Sequence, residues 1–195
     1  MIPAPAKRGR TRRYPTNADR QHAYRERKRN AHREAEALRN GSDEWFTPAA
    51  VVELARQVLG VIDLDPASNE VAQRTVRATR WFSKADNGLT HPWEGRVFLN
   101  PPYSFPLVRN FTRKLIEEHN TGHVAAAILI VNNATDAQWF QDLLARFPVC
   151  LTRGRIKFYR ADRAPVSPRL GQAIFYLGSG VERFAEVFSV LGVVR

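Results

Sequence analysis

Four consecutive residues, Asn100-Pro101-Pro102-Tyr103, combine types that suit one kind of chemistry. They follow Val97-Phe98-Leu99, an apolar run that reads as the end of a strand. Two prolines fix the backbone dihedrals and remove two N–H donors, so the turn is stiff and its carbonyl oxygens are left unengaged. Asn100 adds a side-chain acceptor and Tyr103 an aromatic face. Acceptors converging on one point suit a planar amine. Hydrogen bonds from the amine to the Asn100 side-chain oxygen and the Pro101 carbonyl would draw its protons into the plane and aim its lone pair at an electrophilic methyl. Orientation then supplies much of the rate, with no strong base. Tyr103 would stack on the ring that bears the amine.

Other residues could serve such a centre. Asp63 and Asp65 stand at the end of the short strand expected over Val61–Asp65. Carboxylates there either accept from a ligand's ammonium or hydroxyl groups or are surface charges at a strand end. Asn132 and Asn133 follow the continuous apolar run Val124–Val131. Their amides can read base edges, while Thr135 or Asp136 beside them can cap the next helix. Arg153, Arg155 and Lys157 recur with period two, which suits phosphate contacts and equally a guarded strand edge. The five histidines have no ligand spacing and Cys150 is the single cysteine, so no metal site and no internal disulfide are expected.

The elements that must position these residues alternate. Thr47-Pro48 reads as a cap followed by proline in the first helical position. Val51, Leu54, Ala55 and Val58 then recur at helical spacing up to Gly60. A helix is expected over Asn69–Thr79 and a strand over Arg96–Leu99. Leu107, Val108, Phe111 and Leu115 mark the next helix, and Trp139, Phe140, Leu143, Leu144 and Phe147 another. Late strands are expected over Val149–Thr152, Ile156–Tyr159 and Gln172–Leu177, and a last helix carries Val181, Phe184, Phe188 and Leu191. This alternation predicts an α/β fold with a mainly parallel sheet. Ligands of such sheets bind beyond the carboxyl ends of the strands, which singles out the positions after Asp65 and after Leu99.

Charge divides the 195 residues unevenly. Residues 1–42 carry 12 Lys or Arg against 4 Asp or Glu, and the remainder 18 against 15. The first stretch has too few large aliphatics for a core and is expected to be a basic N-terminal arm, with a solvated helix or disorder over Asn17–Arg39. Residues 43–195 form the folded domain. The net charge of +11 favours a polyanionic partner, and the arm suits non-specific phosphate binding. The run Val124–Val131 is too short to span a bilayer. No apolar signal core follows Lys7, Arg8 and Arg10, so export is not expected. A reducing, cytoplasmic setting fits.

Asn-Pro-Pro-Tyr is the hallmark of methyltransferases that act on planar amines: N6 of adenine, N4 of cytosine or the amide of a protein glutamine. More narrowly, residues 43–192 resemble the bacteriophage-type DNA N6-adenine methyltransferase (Dam) family. The resemblance runs through Asp43-Glu44-Trp45-Phe46-Thr47-Pro48, Ile62-Asp63-Leu64-Asp65-Pro66-Ala67-Ser68, Asp86-Asn87-Gly88-Leu89 and Pro92-Trp93. It continues through Gly95 to Tyr103, Val131 to Asp136 and Gly154 to Phe158. It implies a Rossmann-like fold with helices on both faces of the sheet, S-adenosylmethionine as cofactor and DNA as substrate, its adenine flipped into a pocket at Asn100–Tyr103. It also implies that Phe46 and Thr47 approach the methionine end of the cofactor, that Asp63, Asp65, Pro66 and Ala67 border it, and that Asp86 accepts from its adenine amine. One departure stands out. Such folds usually place a glycine-rich loop after the first strand, and Pro66-Ala67-Ser68-Asn69 has no glycine. A DNA-binding accessory protein with the same fold and no chemistry is a further alternative, against which the intact turn argues.

Overall fold

The computed structural model describes residues 45–160, 163–166 and 170–195, together with Gln21. Contacts divide the chain into Met1–Ser42 and Asp43–Arg195, and all elements named below belong to the second unit. Of the helix expected over Asn17–Arg39 only Gln21 is described, as helical; the rest lies outside the described residues.

In chain order the elements are α1 (Ala49–Leu59), β1 (Leu64–Asp65), α2 (Glu70–Val76), β2 (Arg80–Trp81), β3 (Gly95–Leu99), α3 (Leu107–Asn120) and β4 (Val124–Asn132). They continue with α4 (Gln138–Leu144), β5 (Val149–Thr152), β6 (Phe158–Arg160), β7 (Arg163–Val166), β8 (Gln172–Leu177), α5 (Val181–Phe188) and β9 (Gly192–Val194). Seven strands form one sheet in the order β2-β1-β3-β4-β8-β5-β9, and β6 and β7 form a separate hairpin. Pairings from β2 to β4 are parallel. Those of β8 with β4 and β5, and of β5 with β9, are antiparallel. The sheet is therefore mixed: β8 and β9 run against the other five strands.

Strand alternation divides the core. Phe98, Ile128, Ile130, Ile174 and Tyr176 face α1 and α5, packing on Val52, Ala55, Phe184 and Phe188. Val97, Leu99, Ala127, Leu129, Val131 and Phe175 face α3 and α4, packing on Phe111, Leu115, Phe140 and Leu143. Because both sides of β4 are covered, Val124–Val131 is apolar without alternation. Cys150 is buried in the first cluster, and burial pushes its thiol up to about 11.

Several boundaries differ from expectation for local reasons. Thr47 does not cap α1. Pro48 occupies the N-cap position and makes no side-chain cap bond. β1 is two residues long, because the Asp63 carboxylate, in place of a strand carbonyl, takes the Arg96 N–H at 2.8 Å. Asn69 caps α2 rather than belonging to it, its Oδ1 accepting from the Val71 and Ala72 amides at 2.9 and 3.0 Å. The helix stops at Arg77, which has a left-handed φ of 46°. Tertiary pairing creates β2 and β9, both too short for a periodic signal.

Candidate active site

Chain order reverses between β1 and β3. From β1 the chain moves outward to β2, then returns across β1 to β3 and proceeds to β4. This is a topological switch point, and its crevice opens at the carboxyl ends of the strands. Asp65 ends β1 and Asn100 follows β3, so the two sequence signals lie on adjacent strands at the same sheet edge.

At this edge Asn100 is held from two sides. Its Nδ2 donates to the Trp45 carbonyl at 2.7 Å, which aims Oδ1 the other way. Tyr103 donates its hydroxyl to that Oδ1 at 2.6 Å. An amide oxygen has two lone pairs, so among the described residues one acceptor site remains. Pro101 is buried, and Asn100, Pro102 and Tyr103 are half-buried. The Tyr103 ring meets Phe158 edge-on, with centroids 6.2 Å apart, and burial raises its phenol above the ordinary value. Tyr103 is therefore a neutral donor that fixes Asn100 as well as an aromatic wall.

The segment before α1 closes over this turn. Phe46 and Tyr159 exchange backbone hydrogen bonds of 2.9 and 3.0 Å, which brings Trp45–Thr47, Asn100–Tyr103 and Phe158–Tyr159 together. Thr47 is 6% exposed, and its Oγ1 has no hydrogen-bond partner among the described residues. An unsatisfied buried hydroxyl costs about 1–3 kcal/mol, a cost that a bound polar ligand would remove.

Asp65 is 3% exposed. Its carboxylate accepts from the Gln73 side-chain amide at 3.0 Å and the Ala67 N–H at 3.3 Å. Burial pushes its pKa up to about 7, against a smaller pull from hydrogen bonds with Ser68, Ala67 and Gln73. It thus shapes the Pro66-Ala67-Ser68 loop from within. This loop lacks glycine, and the close approach comes from a neighbouring segment. A Cβ on Gly88 would lie 2.0 Å from the Pro66 carbonyl oxygen, so only glycine fits there. The buried Trp93 indole donates to the Gly88 carbonyl at 2.8 Å and fixes that segment.

The remaining expected residues divide. Asp63 sits at the opposite end of the strands, where both its oxygens are engaged by the Arg96 side chain, Oδ2 at 2.9 Å and Oδ1 at 3.3 Å. Hydrogen bonding to Arg96 holds its pKa below the ordinary value. Asp86 is exposed in the loop before Gly88. Ser83 donates to it from both hydroxyl and backbone N–H, and these bonds lower its pKa. Asn132 ends β4 at the same edge as Asn100, and Asn133 is exposed beside it. Arg153, Arg155 and Lys157 are exposed, while Ile156 and Phe158 between and after them are buried. The alternation carries the basic stretch directly into the residue that touches Tyr103.

Sequence reasoning did not single out Trp45, Phe158 or Gln172 as functional positions. Gln172 is 1% exposed. Its Oε1 accepts from Ile156 N–H at 2.9 Å, and its Nε2 donates to the Leu170 carbonyl at 2.7 Å and to Asn132 Oδ1 at 3.4 Å. It joins the end of β4 to the basic stretch. A lone glutamine opening an apolar strand was the available signal.

Among the described residues no group of three or more His, Cys, Asp or Glu could hold a metal ion. The family model described as DNA N-6-adenine-methyltransferase (Dam) matches residues 34–173, more than two thirds of the chain. Comparison with curated proteins gives no match.

Proposed function

The chain belongs to the DNA N-6-adenine-methyltransferase (Dam) family, and from that premise we propose that it transfers a methyl group from S-adenosylmethionine to N6 of an adenine in DNA. The observation that carries this reading is the anchored Asn100. Its amide orientation is set by Trp45 and Tyr103, and one acceptor site on Oδ1 remains at the switch point.

The residues at the switch point fit the cofactor. Thr47 offers a buried hydroxyl that has no partner among the described residues. Phe46, Asp65, Pro66 and Ala67 are proposed to border the cofactor, and Asp86 to reach it from the exposed loop between β2 and β3. Asp65 acts there by holding its loop in shape. Asp63, at the far end of the strands, contributes through the Arg96 ion pair to the sheet. When bound, the cofactor supplies an electrophilic methyl on a sulfonium. The doubly covered sheet with its switch point between β1 and β3 is the arrangement expected of a Rossmann-like methyltransferase fold.

A duplex adenine is stacked and paired, so it must rotate out of the helix to reach this turn. Its amine then donates to Asn100 Oδ1 and to the Pro101 carbonyl, and Tyr103 supports the ring. Pro102 keeps the turn rigid and presents no N–H to compete. As positive charge grows on the attacking nitrogen these acceptors bind it more tightly, which lowers the barrier. In this proposal Asn132 and Asn133 read base edges, and the exposed Arg153, Arg155 and Lys157 contact phosphates. A DNA substrate would put the protein in the cytoplasm of a bacterial host. Among the described residues no helix is long and apolar enough to cross a membrane.

The test is incubation with labelled cofactor and unmethylated DNA in the presence of chelator, followed by nucleoside analysis. Labelled N6-methyladenine is the expected product. N4-methylcytosine would keep the mechanism and overturn the substrate. No transfer, together with no thermal stabilisation at saturating cofactor, would overturn the reading itself.

The arm of residues 1–42 is proposed to bind phosphates without sequence preference. Deleting it should leave a folded domain that binds DNA more weakly and with a flatter dependence on salt. Unfolding of the truncated protein, or an unchanged slope of log affinity against log salt, would contradict this.

A further inference from the structure

Phe105 stands two residues beyond Tyr103, just before α3, and is exposed where Tyr103 is half-buried. Tyr103 faces inward to Asn100 and Phe158. Phe105 is 71% exposed, the most exposed large apolar side chain among the described residues. An exposed phenyl contributes little to folding, so packing does not account for it. The Arg109 guanidinium, on the first turn of α3, lies over its ring at 4.8 Å. A cation over one ring face restrains the side chain outside the core, and the same cation beside a phosphate backbone would be attracted to it.

We propose that Phe105 is the wedge that enters the base stack when the target adenine rotates out, filling the gap and slowing the base's return. The inference rests on the adenine-methylating reading. A flipped base leaves a cavity the thickness of one aromatic ring at the position it vacated. Two residues beyond the base-holding turn, in the loop before α3, stands an exposed aromatic ring held by an arginine. Inserted apolar side chains stabilise unstacked steps in this way, and aromatic stacking tolerates any neighbouring base. Phe105 touches neither the amine nor the methyl; its part is to shift the equilibrium between stacked and extrahelical adenine.

The experiment compares the full-length wild type, Phe105→Ala and Phe105→Trp in single-turnover methylation. Three substrates carry the site mapped beforehand on DNA methylated by the wild type: the paired duplex, the same duplex with an abasic residue opposite the target adenine, and the single strand. Phe105→Ala should lose roughly tenfold or more on the paired duplex and at most about twofold on the other two, where no pairing holds the base. Phe105→Trp should retain activity on all three. With 2-aminopurine at the target, wild type should raise fluorescence and Phe105→Ala should raise it less. An unchanged rate of Phe105→Ala on the paired duplex would overturn the wedge. So would an equal loss on all three substrates, which would assign Phe105 to the reaction pocket instead. A wild type that leaves no methylated adenine in DNA, so that no site can be mapped, overturns the function reading, and the wedge with it.

Discussion

Asn100→Ala is expected to lower single-turnover methyl transfer by roughly 100-fold or more, the scale of losing one preorganised polar group, while cofactor binding stays nearly unchanged. The acceptor matters most when charge develops on the amine, so the loss falls on turnover rather than on binding of the cofactor. Removing the side chain also leaves the Trp45 carbonyl without the Asn100 donor and Tyr103 without its acceptor. A thermal melt with and without cofactor therefore accompanies the rate measurement. Asn100→Asp keeps an acceptor and loses the donor to Trp45, so it should be impaired less than Asn100→Ala. Tyr103→Phe retains the ring and removes one of the two bonds that orient Asn100; a loss of a few-fold is expected. Tyr103→Ala also removes ring support worth about 1–3 kcal/mol and should weaken capture of the base. Full activity in Asn100→Ala would remove the amine-holding role from this turn.

The second large effect concerns stability and pH. Asp65 titrates at about 7 in the folded protein against an ordinary 3.8, because burial penalises its charge. Its folded value is raised, so the sign is the reverse of that for a salt-bridged carboxylate. Below about pH 4 the group is protonated in both folded and unfolded chains and costs nothing. Between about pH 4 and 7 the unfolded chain releases the proton and the folded chain keeps it, so stability falls as pH rises. Above pH 7 the accumulated penalty is roughly 4 kcal/mol. Asp65→Asn cannot ionise and retains an acceptor for Gln73 or Ala67. Urea denaturation should therefore find it close to wild type at pH 4 and more stable, by up to a few kcal/mol, at pH 8. Parallel pH profiles for the two proteins would show that Asp65 is not the group responsible.

The residues themselves determined a good deal. The apolar faces of α1, α3, α4 and α5, though not that of the short α2, the strands Gln172–Leu177 and Val149–Thr152 and the abrupt end of β3 at Asn100 follow from side-chain period and proline chemistry, which act over a few neighbours. The Asn100-Pro101-Pro102-Tyr103 turn and the family resemblance were legible for the same reason: contiguous residues carry them. The direction of β8 and β9 was not, because antiparallel return in a doubly covered sheet leaves the same apolar run as parallel pairing. Asp63 and Asp65 look alike in sequence, two residues apart in the strand expected over Val61–Asp65. Tertiary structure separates them: one is tied to Arg96 at the amino end of the sheet, the other is sealed at the carboxyl end with its pKa raised. Thr47 read as a cap and became a buried hydroxyl with no partner among the described residues, since helix start signals say nothing about what closes over them. Tyr103 read as a stacking face alone, and the fold added its hydroxyl bond to Asn100. The orientation of Asn100 depends on the Trp45 carbonyl, 55 residues away in the chain. No local pattern encodes a bond between segments that meet only after the sheet has assembled.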